Sequence, residues 1–415
     1  MKLSRRQYYF RYFITMMVVS VLLIVSALTI NSYYYHIELI TRACVYALIT
    51  VVLLTLLVLG LILVKYRSLK SFIKIYRLLS CVEENLKSIG AYVKREDKVF
   101  AELPRIRIRS NTIEIALKNL RIREAIEKHL SSFSTALPED YIVEDYYITQ
   151  NNSTVVIKFE DLNAYRPEEY SLEEYVRKVK TLDKKTLYFD KKHTVDVDDY
   201  PHFIISGSSG SGKSYLVNEL VMQGILKDWK VYILDMKRSY GLYKAFSECY
   251  FEPEDILLSL RNIEKEMLAR LKAMQPEFDK NPRIVAADAG YQPIMVVLEE
   301  YISLQSALDK KQKEELERVV KHISVLARQA SIHLFIVMQS AGTENIQATT
   351  RSNLTKVLMG NAQSNIVVST FGTGVDVPNV HGKTGKGEGL IQLDRITVLR
   401  VPKVNDIESF KDEVR

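Results

Sequence analysis

At 415 residues the chain exceeds what one small domain requires, so its parts have to be assigned region by region. A content of 47% hydrophobic and 26% charged residues excludes a long disordered or low-complexity protein. The formal charge of +7 is spread over 57 basic and 50 acidic side chains, too evenly to define a polyanion-binding protein, and the three separated cysteines, Cys44, Cys81 and Cys249, form no CxxC pair that would suggest zinc or a redox dithiol.

From the amino terminus, Tyr12 to Ile30 contains no charged residue and Ala43 to Val64 is a second apolar run. At ~1.5 Å rise per residue each approaches the ~30 Å of a hydrocarbon core. A signal peptide would explain the first run alone, but no small-residue cleavage site follows it and a second span does. Lys2, Arg5, Arg6 and Arg11 precede the first run, and Lys65, Arg67, Lys70, Lys74 and Arg77 follow the second, whereas the intervening segment has little besides Arg42. By the positive-inside rule this places both ends in the cytoplasm, as expected of a multi-pass protein of the cell membrane. Tyr33 to Tyr35 fit an interfacial aromatic belt.

Downstream, Ser68 to Lys98 has helical spacing and is expected to leave the bilayer as a stalk. Thr112 to Leu130 is expected as a second helix, with Ile113, Leu117, Leu120 and Ile126 on one side, and Tyr141 to Thr149 and Thr154 to Phe159 are expected as strands. Arg105, Arg107 and Arg109 alternate with Ile106 and Ile108, which on a strand places three arginines on one face, facing solvent, phosphates or lipid headgroups.

Phe203 to Ser206 is an apolar strand that feeds Gly207, Ser208, Ser209, Gly210, Ser211, Gly212, Lys213 and Ser214, and a helical pattern begins at Tyr215. Strand, glycine-rich loop and helix in this order make a Walker A site for ATP. Small residues let backbone amides curl around phosphates; Lys213 is expected to reach the β and γ phosphates and Ser214 to ligate Mg2+. Pro293 to Leu298 is a second buried-type strand, ending in Glu299 and Glu300. The first carboxylate is expected to hold the metal and the second to orient or deprotonate the attacking water. Asp is usual at the first of these positions, so Glu299 is a departure. A third strand, Leu334 to Met338, ends in Gln339, a candidate γ-phosphate sensor, and Lys230 to Leu234 is expected to join the same sheet. His333 is expected as a core residue, since no second histidine stands at metal spacing.

These residues, in this order, resemble the FtsK/SpoIIIE motor ATPases and the related coupling proteins of conjugative elements. The likeness extends roughly from Tyr200 to Val401 and includes Asp235-Met236-Lys237, Ile263 to Met267 with Arg270, Leu326 to Leu334, and Gly385-Lys386-Gly387-Glu388-Gly389. It implies a RecA-like motor, assembled as a homo-hexameric ring, that binds ATP between subunits and drives single- or double-stranded DNA through its centre. It also implies a basic residue completing the neighbour's site, for which Arg328 and Arg351 are the candidates. Two spans and a short stretch after the last motor strand look more like the coupling proteins of Gram-positive conjugative elements, whose partners are a relaxase and channel proteins. The competing readings are a chromosome or plasmid partitioning pump, a type VII-like protein secretion ATPase and a non-hydrolysing scaffold. The expected fold class is α/β: a membrane anchor of two transmembrane helices over residues 1–66, a helical stalk and small α/β domain over 67–195, and a P-loop ATPase domain with a mostly parallel sheet over 196–415.

Overall fold

The computed structural model describes residues 5–35, 37–88, 93–95, 98–100, 105–108, 112–118, 141–148, 154–161, 167–342, 345–360, 364–373 and 384–413. It divides into two compact units, Met1–Tyr165 and Arg166–Arg415.

In the first unit, helix α1 (Arg5–Ile30) runs into a π-helical turn (Asn31–Tyr35), and α2 (Glu38–Tyr66) follows. Two stretches, Ile14–Tyr34 and Glu38–Val64, are long and apolar enough to cross a membrane. Large side chains such as Leu22, Leu23, Leu53 and Leu57 face outward, as lipid contact requires. Asn31 closes the turn: its amide donates to the Ile37 carbonyl (2.9 Å) and the Thr41 hydroxyl (2.8 Å), and its oxygen accepts from the Ile37 N–H (3.1 Å). Helix α3 (Leu69–Ser88) buries Ile75, Leu78, Val82 and Leu86 on one stripe and ends earlier than the stalk expected to Lys98.

Strands β1 (Val93–Arg95) and β2 (Lys98–Phe100) form a hairpin. Strands β3 (Arg105–Ile108), β4 (Thr112–Lys118), β5 (Tyr141–Ile148) and β6 (Thr154–Asp161) form an antiparallel sheet in the order β3-β4-β6-β5. The expected helix from Thr112 is therefore corrected to a strand over its first seven residues; residues 119–130 lie outside the described residues. Ile113 and Leu117 are spaced four apart, which suits a helix face and a strand face equally. Pairing decides between them, because Ile113 stands opposite Phe159 and Ile115 opposite Ile157 on a shared buried face. Arg105 and Arg107 do lie on a strand, while Arg109 falls outside the described residues.

The second unit starts upstream of the expected boundary at 196. Ser171 caps the helix Leu172–Lys180 through a capping box with Glu174. Leu172, Tyr175, Val176 and Val179, with Leu187, Phe189 and Val195 around the hairpin β8 (Thr186–Tyr188) and β9 (Thr194–Asp196), are buried in the same core as the P-loop helix. The preceding short strand is β7 (Glu169–Tyr170).

The main sheet contains β10 (Phe203–Gly207), β11 (Lys230–Leu234), β12 (Glu248–Tyr250), β13 (Ile294–Leu298), β14 (Ile332–Met338), β15 (Thr355–Met359), β16 (Glu388–Gln392) and β17 (Ile396–Arg400); β18 (Lys403–Val404) pairs with β7. Its order is β12-β11-β13-β14-β10-β15-β16-β17, parallel through β15 and antiparallel beyond. Continuous apolar runs such as Ile294–Leu298 are buried on both faces, the pattern that helices on both sides of a parallel sheet demand. Phe203, Ile205, Val297, Phe335 and Val337 point to one core with the P-loop helix Lys213–Leu226. Ile204, Val296, Leu298, Leu334 and Ile336 point to the other, with the helices Pro253–Ala273 and Lys310–Leu326. Each such side chain, fully buried, contributes about 1.5–3 kcal/mol.

Candidate nucleotide site

Parallel strands β10, β13 and β14 all end at one edge of the sheet, and the expected site residues follow from those ends. Gly207 closes β10 where no side chain fits, since a Cβ there would stand 2.3 Å from the Met359 carbonyl oxygen of neighbouring β15. Gly212, at φ +105°, begins the P-loop helix, and a Cβ on it would stand 2.8 Å from the Gly387 nitrogen. The Gly387 N–H donates to the Ser211 carbonyl (2.9 Å) and its own carbonyl accepts from the Val401 N–H (2.9 Å). The Gly385–Gly389 stretch thus braces the P-loop from behind, a role its glycine spacing did not announce.

Within the loop, Ser208, Ser209 and Gly210 are exposed and Ser211 is buried. The Lys213 ammonium donates to the carbonyls of Gly207 (2.6 Å) and Ser208 (3.0 Å), and burial pulls its pKa below the ordinary lysine value. The Ser211 hydroxyl is buried with no hydrogen-bond partner among the described residues. An orphaned donor in a loop of small residues at a helix start, beside a buried ammonium, fits a polyphosphate.

Strand β13 delivers the carboxylates. The Glu299 N–H donates to the Leu234 carbonyl (2.9 Å), so the ends of β11 and β13 lie side by side and bring Asp235 next to Glu299. Both are buried. Burial, then the charges of Asp235 and Glu300, push the Glu299 carboxyl up to about 7. The Tyr240 hydroxyl donates to Glu299 Oε2 (3.3 Å) and also neighbours the exposed Ser214. Glu300 adopts the left-handed conformation (φ 53°, ψ 49°) at the start of the helix Tyr301–Ala307 and is ion-paired with Lys237. Among the described residues no three His, Cys, Asp or Glu side chains form a metal cluster. Magnesium in a P-loop site needs none, since one or two protein oxygens and the phosphates suffice, and Ser214 with Glu299 would supply such oxygens. Asp235 and Lys237 were legible only as a strand-end motif without roles, and Tyr240 was not singled out at all; their membership of the site depends on β11 lying beside β13.

Strand β14 lies between β13 and β10, so exposed Gln339 follows the strand that separates the two Walker strands, and its carbonyl accepts from the Gly207 N–H (3.2 Å). The two arginines part company. Arg351 donates to the carbonyls of Ala341 (3.1 Å) and Ser369 (2.6 Å), whereas exposed Arg328 makes no side-chain hydrogen bond among the described residues and precedes the amino end of β14. Buried Arg270 is structural: it donates to the carbonyls of Gln292 (2.9 Å) and Ala330 (3.1 Å).

Residues 190–370 match the family model described as Helicase HerA, central domain. The Bacillus subtilis Ftsk domain-containing protein YdcQ is 25% identical over 178 residues, 37% of this chain and 37% of its own length. The Chlamydia pneumoniae DNA translocase FtsK is 24% identical over 224 residues, 48% of this chain and 27% of its own. The alignments therefore span well under half of those relatives. The structure of the pCW3 conjugation coupling protein TcpA, in monomer form with ATPγS, superposes with a TM-score of 0.51 over 82% of this chain and 100% of that one; at 15% identity this is a likeness of fold. The second unit carries an FtsK/HerA-like P-loop ATPase domain.

Proposed function

We propose that this chain, through its FtsK/HerA-like domain, is a membrane-anchored, ATP-driven DNA translocase that acts as the coupling protein of a conjugative element. The observation that carries the reading is the convergence of the P-loop with the Glu299–Glu300 strand end at one edge of a parallel sheet, in a domain resembling DNA translocases. The likeness of fold to a conjugation coupling protein supports the finer assignment. The relaxase and channel proteins expected as partners follow from that assignment.

In this reading the amides of Gly207 to Ser214 and the Lys213 ammonium hold the β and γ phosphates of ATP, and Ser214 and Glu299 hold Mg2+. Magnesium, when bound, supplies charge neutralisation on the phosphates. Glu300 accepts the proton of the attacking water, and Gln339, beside the Gly207 amide, senses the γ-phosphate position. Arg328, exposed at the protein surface, reaches the site of a neighbouring subunit in a homo-hexameric ring. Two membrane-spanning helices, with the amino terminus and the ATPase domain on the cytoplasmic side, fix each ring in the membrane plane and raise the local subunit concentration.

The test is ATP turnover by the whole chain in detergent, alone and with single-stranded DNA, duplex DNA or candidate secreted proteins. Stimulation by DNA is expected. Stimulation by protein and not by DNA overturns the reading in favour of secretion.

A further inference from the structure

We infer that Lys237 is a latch on Glu300: a positioning residue that withholds the candidate base until a polyanion draws the ammonium away. The release step rests on the DNA-translocase reading above; the pairing does not.

The latch is assembled from three local features. First, Asp235, fully buried at the end of β11, accepts from the N–H groups of Lys237 (2.8 Å) and Ser239, so its carboxylate folds the loop after the strand into a fixed turn. Arg238 sits in that turn at φ +56°. Second, the register that pairs Leu234 with Leu298 sets this turn beside the end of β13. Third, Glu300 is held at φ +53°, a conformation strained for a non-glycine residue, and it presents its carboxylate to the Lys237 ammonium. A strained junction and a carboxylate-organised turn thus meet at a single ion pair.

The pair is asymmetric. The Glu300 side chain is 12% exposed while that of Lys237 is 54% exposed, so one partner lies in the site and the other faces solvent. Nearby charges reinforce the asymmetry. Inside stand Asp235, Glu299 and the Lys213 ammonium; outside, Arg238 pairs with Glu252 on the surface. While Glu300 Oε1 accepts from Lys237, one acceptor site of the carboxylate is occupied and the group is held toward the Lys237 side. A phosphate backbone approaching the exposed face competes for the ammonium, because an exposed ion pair is weak and a polyanion offers many acceptors. Hydrolysis would then be linked to the presence of the polymer by one side chain.

Two measurements on the whole chain in detergent test this. Without nucleotide, amine-reactive acetylation of Lys237, read by peptide mass spectrometry, is expected to rise about fivefold in Glu300→Gln, the weight of an exposed ion pair; unchanged labelling overturns the pairing. With ATP, Lys237→Met is expected to raise DNA-free turnover about fivefold at constant KM and to lower the stimulation by duplex DNA by the same factor, while Lys237→Arg behaves as the parent. Lower or unchanged DNA-free turnover in Lys237→Met overturns the latch. Raised turnover in that variant, with no response of the parent chain to DNA, upholds the latch and overturns DNA as the substrate.

Discussion

The two edges of the main sheet bury ionisable groups to a similar depth and treat them in opposite ways. At the amino edge, His202 and His333 are buried and held neutral: burial lowers them to about 3 and about 4. His202 Nδ1 accepts from the Leu334 N–H (3.1 Å), and His333 faces the Pro201 carbonyl (3.2 Å) and packs on Trp229. At the carboxyl edge, Asp235 and Glu299 are equally buried, yet they stand beside each other and beside Glu300, with Lys213 and Lys237 as the cations nearby. Like charges left together under a surface oppose stability, and a fold keeps them only where something other than stability is selected. Burial alone therefore does not mark a site; burial of groups whose charges are left unbalanced does.

The comparison predicts that substitutions at the carboxyl edge cost turnover and spare the fold. Lys213→Ala is expected to lower ATP turnover by about a thousandfold or more, because the phosphates lose their cationic anchor. Glu300→Gln should lower it by about a hundredfold or more while nucleotide stays bound, as removal of a proton acceptor does. Phosphate release and retention of a fluorescent ATP analogue measure the two effects. A melting temperature lowered along with turnover in either variant would erase the distinction between the edges.

The amino edge should respond to pH and not to nucleotide. Both histidines have folded values below their unfolded value of about 6.5, so the stability they carry is complete above that pH and is lost as pH falls toward 4. A loss on the order of 3 kcal/mol from each is expected over that window, read as a falling melting temperature. Replacing both with leucine should flatten the profile.

Glu299→Gln sharpens the contrast, since the same change should help the fold and harm the site. The carboxyl is raised to about 7, so its cost appears as pH rises from the ordinary carboxylate value through 7 and is complete at pH 8. There the variant should be more stable by about 3 kcal/mol, with lower turnover; at pH 4 the gain should vanish. Equal stability at pH 8 would show that neither burial nor the charges of Asp235 and Glu300 hold the carboxyl up.

Much of the carboxyl edge was legible because its chemistry is local in sequence. Gly207 to Ser214 is a contiguous loop, and the apolar run before Glu299 is a buried strand that reads directly as one. What stayed hidden depends on register: Asp235 and Lys237 join the site only because β11 lies next to β13, and the Gly385–Gly389 stretch only because β16 and β17 return beside β15. The strand at Thr112 was misread for a related reason, since four-residue spacing is common to a helix face and a strand face until a partner strand decides. The domain boundary at 196 fell late because β8 and β9 are only three residues each, and their apolar side chains reveal their core only in three dimensions.

The two arginines give the smallest effects on stability and the finest test. Arg351 holds two backbone carbonyls, so Arg351→Ala should destabilise the domain by about 1–2 kcal/mol through the acceptors it strands. Among the described residues Arg328 holds none, so Arg328→Ala should leave the melting temperature unchanged and still lower turnover if its guanidinium completes a neighbour's site. That distinction has a subunit-level consequence. In a head-to-tail ring, mixing equal amounts of Lys213→Ala and Arg328→Ala chains places an intact P-loop against an intact Arg328 at about a quarter of the interfaces, so turnover absent from either variant alone should return in the mixture. No return would assign Arg328 to its own subunit or to the surface, and would leave the trans role without a residue among the two arginines.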